Sequence, residues 1–269
     1  MVPNLGDINF RAVGTEEPTL IFVHGFACAL DDWEEQFKGL SPKFRCVALD
    51  LPGMVVRRNP RPSQSNEIMG TAVNSVKERI GGRRTILVGH SMGCRVITEA
   101  FQQSGSTVLA LVFVDGSILG GGSESAIKST KNAIDRAGMD AFTQRLFNDM
   151  FLESGDPELR ERLIARAQSL DARFREELFL DLVRWDVSKV RNAPRPMTVP
   201  ALVLQSTHIN ADLKRVPLPV GVTTPWMDAV ASLVRKSQAK IIPNAGHFTM
   251  IEAAQAVNNA IREFATHLV

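Results

Sequence analysis

Serine is a poor nucleophile until something takes its proton, so a catalytic serine must be sharply exposed and close to a base. Gly89-His90-Ser91-Met92-Gly93 meets the first condition. A β-branched, apolar run, Thr85 to Val88, stops at this serine, and Cys94, Ile97 and Phe101 then recur at helical spacing. Glycines on both sides of a serine between strand and helix permit the strained turn of a nucleophile elbow, which lifts the hydroxyl above the carboxyl edge of a sheet. The same turn aims the first N–H groups of the helix at whatever sits beside the serine, where they can hold an oxyanion.

A base is offered by His247, in Asn244-Ala245-Gly246-His247-Phe248, which follows a short strand at Ala239 to Ile242 and precedes the last helix. An imidazole of ordinary pKa, about 6.5, suits that task. Its other ring nitrogen needs an acceptor that fixes the tautomer and stabilises the imidazolium as it forms. Asp115 ends the apolar strand Val108 to Val114, so a carboxylate stands at another strand end. Four strand ends, at His24-Gly25-Phe26, Ser91, Asp115 and His247, are expected in one region.

The elements that must position these residues alternate. Residues 7 to 12 read as an opening strand and Thr19 to Val23 as a second, fully apolar one. Asp31-Asp32 can cap a helix with Trp33, Phe37 and Leu40 on one face, and Phe44 to Leu49 returns as a strand. A Pro- and Arg-rich loop, Pro52 to Pro62, leads to a helix from about Ser65 that closes at Gly81-Gly82. After Asp115 the alternation breaks. From Ile118 to Val190 only helical patterns appear: one carries Phe142, Leu146, Phe147 and Met150, one starts at Asp156-Pro157, and one carries Phe174, Leu178, Leu182 and Trp185. Pro200 to Leu204 resumes the strands, followed by a long loop, a helix begun by Thr224-Pro225, and the closing strand and helix. The pattern predicts the α/β class: a doubly wound, mostly parallel sheet formed by residues 1–117 and 191–269, with residues 118–190 inserted as a helical cap.

Composition bounds the partners. Lys and Arg number 31 against 29 Asp and Glu, so no polyanion is expected and nucleic acid is a poor candidate. The amino terminus has neither a basic segment nor an apolar core, and no apolar run approaches the roughly 20 residues of a spanning helix. A cytoplasmic protein without membrane association, acting on a small-molecule substrate, is the expectation. Cys28, Cys46 and Cys94 lack metal-ligand spacing and read as buried free thiols; neither metal nor cofactor is expected.

Together, and over essentially the whole chain, these features resemble the α/β-hydrolase superfamily, specifically its capped serine hydrolases. The family order of nucleophile, acid and histidine is similar to Ser91, a carboxylate and His247. His24-Gly25 is similar to the family's HG oxyanion turn, which implies the backbone N–H groups of Phe26 and Met92 as oxyanion donors. Asp50-Leu51-Pro52-Gly53 matches its D-x-P-G turn, but the usual H-G-x-S continuation is replaced by Met54-Val55-Val56-Arg57, which bears on the pocket entrance.

The commonest family arrangement places the acid after the strand that ends at Leu204. Gln205 to Asn210 holds no carboxylate at that offset, and Asp212 lies just beyond. Another branch uses the end of the preceding strand, where Asp115 stands. Asp115 is favoured and Asp212 is the alternative, with Asn210 a possible neutral partner for the histidine. Dehalogenases and epoxide hydrolases of this fold carry aspartate where Ser91 stands, and the latter use cap tyrosines; this chain has no tyrosine. The resemblance therefore implies a carboxylesterase acting on small to medium uncharged esters or lactones. A carbon–carbon bond hydrolase, a perhydrolase or a receptor-like binder would use the same triad. His24 is expected to hydrogen-bond backbone, and His90 to pack within the elbow or line the pocket. His208 and His267 are expected at the surface, and Met150 and Trp185 in packing.

Overall fold

The computed structural model describes residues 8–54, 65–191, 196–210 and 214–268. The strands are β1 Phe10–Val13, β2 Thr19–Val23, β3 Arg45–Leu49, β4 Thr85–His90, β5 Val108–Val114, β6 Ala201–Gln205, β7 Thr207–Ile209, β8 Arg215–Pro217 and β9 Ser237–Ile241. Seven of them form one sheet in the order β1-β3-β2-β4-β5-β6-β9, parallel throughout except for β1, which runs antiparallel to β3. β2, β4 and β6 are buried along their whole length, which is why their sequences read as continuous apolar runs rather than alternations. The opening strand is shorter and later than the 7 to 12 expected, because only residues 10 to 13 find partners on β3.

The helices are α1 Glu34–Leu40, α2 Asn66–Arg79, α3 Met92–Ser104, α4 Glu124–Ala137, α5 Met139–Asn148, α6 Pro157–Ser169, α7 Ala172–Arg191, α8 Pro225–Leu233, α9 Thr249–Glu252 and α10 Ala254–Thr266. They flank the sheet, α1 packing on α10 and α2 on α3. Local chemistry sets several starts. Ser65 Oγ accepts from Ile68 N–H, Asp156 from Glu158 and Leu159 N–H, and Thr224 Oγ1 from Met227 N–H. Proline follows two of these caps at the first helical position, where its missing N–H costs nothing. Asp32 does not cap α1: Leu30–Trp33 forms a 3-10 turn first, and the Asp32 carboxylate accepts from Ala29 N–H inside it. The long loop after β6 contains the antiparallel hairpin of β7 and β8.

Helices α4 to α7 lie in sequence between β5 and β6. Polar ties join them to the rest of the chain: Arg166 Nη2 donates to Asp32 Oδ2 at 2.6 Å, and Asn66 donates from both its backbone N and Nδ2 to Asp181 Oδ2. Gly53, at φ 82°, lies against the Phe174 ring, 2.5 Å from where a Cβ would stand. The remainder of the Pro- and Arg-rich loop, residues 55–64, is outside the described residues. No described helix is long and apolar enough to cross a membrane.

β2 has β3 on one side and β4 on the other, so the winding direction reverses between β2 and β4. A reversal of this kind opens a crevice at the carboxyl ends of the two strands. The residues found there are His24-Gly25-Phe26 and Ser91.

Candidate active site

Ser91 joins β4 to α3 with φ 54° and ψ −113°, a conformation that a side-chain-bearing residue adopts only under constraint. The flanking glycines make the turn possible. A Cβ at Gly89 would come within 2.4 Å of the Gly93 carbonyl oxygen, and one at Gly93 within 2.2 Å of the Val23 oxygen.

The structure brings Ser91, His247 and Asp115 into one hydrogen-bonded line. Ser91 Oγ lies 2.8 Å from His247 Nε2, and His247 Nδ1 lies 2.7 Å from Asp115 Oδ2. An ionised carboxylate only accepts, so the proton sits on Nδ1 and Nε2 is left with its lone pair toward the serine hydroxyl. Behind His247, its backbone N–H donates to Met150 O at 2.7 Å and its carbonyl accepts from His90 Nε2 at 2.8 Å. Burial, followed by the charge of Arg215, lowers the His247 pKa to about 4, against the pull of the Asp115 hydrogen bond.

Asp115 is wholly buried and held from several sides. Oδ1 accepts from the backbone N–H groups of Ser206 and Thr207, each at 2.8 Å, and from Gln205 Nε2 at 3.1 Å. Oδ2 accepts from Thr207 Oγ1 at 2.5 Å and from Arg215 Nη1 at 3.4 Å, besides His247. Burial alone would raise its pKa. The hydrogen bond and charge of His247, with Arg215 and Thr207, outweigh burial and hold the carboxyl at about 2.

The His24 to Cys28 turn packs directly on the elbow: a Cβ on Gly25 would stand 3.3 Å from Ser91 Cβ. Ala27, at φ 53°, bends this turn, and Met92 is the first residue of α3. Among the described residues, neither the Phe26 nor the Met92 N–H donates to a protein acceptor. The Phe26 ring meets Phe179 edge to face at 5.4 Å, and Phe179 meets Phe142 at 5.1 Å.

His24 spends both ring nitrogens on backbone, Nε2 accepting from Leu51 N–H at 3.0 Å and Nδ1 facing Gly25 O at 2.8 Å. His90 is buried against the His247 ring, centroids 4.8 Å apart. His267 is exposed, but His208 is half-buried on β7 rather than at the surface. Asn210 belongs to the β7–β8 turn, where Oδ1 accepts from Lys214 N–H. Asp212 lies outside the described residues. All three cysteines are free and buried, and burial pushes the Cys46 and Cys94 thiols up to about 12.

Sequence reasoning missed the holders of Asp115: Gln205, Ser206, Thr207 and Arg215. The one local signal was a polar Gln-Ser-Thr run closing an apolar strand. Arg215 carries no motif.

Fold and site together define an α/β hydrolase. The family model described as the alpha/beta hydrolase family matches residues 20–260, and the chain belongs to that family. Over 260 residues it is 24% identical to the pimeloyl-acyl-carrier-protein methyl ester esterase of Methylococcus capsulatus, covering 92% of this chain and 94% of that one. Over 119 residues it is 27% identical to the protein PHYLLO, chloroplastic, of Arabidopsis thaliana, of whose length it spans 7%. Among solved structures, a thermophilic esterase from Thermogutta terrifontis superposes with a TM-score of 0.77 at 22% identity, covering 97% of this chain and 93% of that one.

Proposed function

We propose that this protein is a carboxylic ester hydrolase in which Ser91 is the nucleophile, His247 the general base and Asp115 the carboxylate that orients it. The observation that carries the reading is the unbroken line from Ser91 Oγ to His247 Nε2 (2.8 Å) and from His247 Nδ1 to Asp115 Oδ2 (2.7 Å). As Oγ bonds to the ester carbonyl carbon, the hydroxyl proton passes to Nε2. Charge on the carbonyl oxygen falls to the N–H groups of Phe26 and Met92, and fixed donors of this kind contribute about 3 kcal/mol each. The C–O bond to the alcohol then breaks and His247 returns the proton to the leaving oxygen. A water molecule, deprotonated by His247, next attacks the acyl-serine, releasing the acid and restoring the hydroxyl.

Residues 118–190 act in this reading as a cap. Phe142 and Phe179, on α5 and α7, continue the aromatic contact begun by Phe26, whose N–H is a proposed oxyanion donor. Rings beside the acyl position favour small to medium, uncharged, largely apolar esters or lactones. The esterase activities named for the Methylococcus and Thermogutta proteins support the same class.

The test is turnover of p-nitrophenyl esters of graded acyl length by the wild type and by Ser91→Ala. Sustained wild-type turnover is expected, with a loss on the order of 10⁴-fold or more in the variant. Retained activity in Ser91→Ala, or a wild-type burst without turnover, overturns the reading.

A further inference from the structure

The proposed hydrolysis makes no use of Arg215, yet its guanidinium stands in the middle of the machinery. Only 7% of its side chain is exposed. Nη1 donates to Thr207 Oγ1 at 2.7 Å and lies 3.4 Å from Asp115 Oδ2, the oxygen that also accepts from His247 Nδ1. Backbone holds it there from two directions. Arg215 pairs with Ile209 across the hairpin, and its N–H donates to Asp149 Oδ2, just beyond α5, at 3.0 Å. A buried guanidinium costs several kcal/mol in desolvation, and packed apolar side chains stabilise a fold at least as well. A fixed positive charge at this position therefore calls for a role beyond packing.

We propose that Arg215 is a positioning residue, a fixed cation behind Asp115 that keeps the carboxylate ionised and His247 neutral, and so able to accept the Ser91 proton, into mildly acidic solution. The proposal rests on the roles assigned above to Ser91, His247 and Asp115.

The charged and titratable groups around His247 come from several elements. Asp115 reaches it from β5, His90 from β4, Arg95 from α3 and Arg215 from β8. Glu252 on α9 accepts from the Gly246 and Phe248 N–H groups on either side of it, and Asp149 holds the Arg215 backbone. Arg95 has its own counter-charge in Asp186. Arg215 instead shares its carboxylate with the histidine. Protonating His247 thus places a second cation on an oxygen already neutralised in part by the first, which opposes the imidazolium. Burial lowers the basicity of His247 first, and Arg215 adds to it.

The experiment is an NMR titration of the His247 ring, with the pH dependence of kcat/KM on a neutral ester, in wild type, Arg215→Gln and Arg215→Lys. Arg215→Gln is expected to raise both the NMR midpoint and the acid limb by about one pH unit. Arg215→Lys keeps the charge and should leave both midpoints close to wild type. An unmoved midpoint in Arg215→Gln, or a lysine variant that shifts as far as glutamine, overturns the proposal. The NMR midpoint needs no turnover, so a shift in a protein without ester hydrolysis upholds the electrostatic role while the hydrolase reading falls. If Arg215→Gln does not fold, Arg215→Met, which keeps the stem without the charge, takes its place in the same titration: a raised midpoint upholds the proposal and an unmoved one overturns it.

Discussion

Arg95 and Asp186 are joined by two hydrogen bonds, Nε to Oδ1 at 2.8 Å and Nη2 to Oδ2 at 2.6 Å, with 2% and 1% of their side chains exposed. Arg95 sits one turn into α3, behind Ser91, and its Nη2 also donates to Ser117 O at 2.6 Å. Asp186 sits on α7, and its Oδ2 accepts from Leu119 N–H at 2.7 Å. One buried ion pair therefore joins the helix of the nucleophile elbow, the chain just before α4, and the last helix before β6.

Removing one partner of such a pair strands the other charge in the interior. Asp186→Ala is expected to destabilise the fold by about 3–5 kcal/mol, whereas Arg95→Met combined with Asp186→Leu should recover most of that loss. Urea denaturation at constant pH measures both. A single variant costing less than about 1 kcal/mol would show that the pair is solvated.

The carboxylate has its own comparison. Asp115→Asn keeps the shape of the side chain but replaces an acceptor with a group that can donate, so His247 is no longer held in the tautomer that leaves Nε2 free. The expected loss is on the order of 10⁴ in kcat. Asp212→Asn should leave kcat within about threefold of wild type. Steady-state assays of the two variants on one ester check this, and the reverse ranking would move the acid to Asp212.

Stability should fall on mild acidification. His247 and His90 have folded pKa values lowered to about 4 and about 3, in both cases by burial first, while the unfolded chain protonates near about 6.5. A histidine of this kind stabilises the fold above its unfolded value, and the contribution is lost as pH falls toward the folded one. Each such group removes about 1.4 kcal/mol per pH unit across that window. Asp115, with its pKa lowered to about 2, keeps its contribution above the unfolded carboxylate value and loses it only at lower pH. Urea midpoints at about pH 7 and about pH 5 should therefore differ clearly, with the lower value at pH 5; equal midpoints would mean that water reaches these rings.

Much of the architecture was legible because it is written in short-range patterns. Buried parallel strands must be apolar throughout, and β5 appears as the same seven residues in the periodicity and in the sheet. Asp156-Pro157 and Thr224-Pro225 mark the starts of α6 and α8 because caps are local hydrogen bonds. Gly89 announces a steric demand that acts within five residues, since a Cβ there would meet Gly93. By contrast, α4 had no named pattern, since it buries only Ala126 and Ile134, and the β7–β8 hairpin is made of three-residue strands without apolar alternation.

From the sequence alone came the fold class, the sharp turn at Ser91 and the strand ends at Asp115 and His247, all consequences of chain stiffness, burial and local sterics. Tertiary structure decided what those ends reach. The Asp115 to His247 contact spans 132 positions, the Arg215 to Asp115 contact 100 and the Arg95 to Asp186 pair 91. None of these leaves a local trace. A carboxylate's partner is chosen by where the winding of the sheet delivers each loop, and its charge state by how completely that delivery removes water.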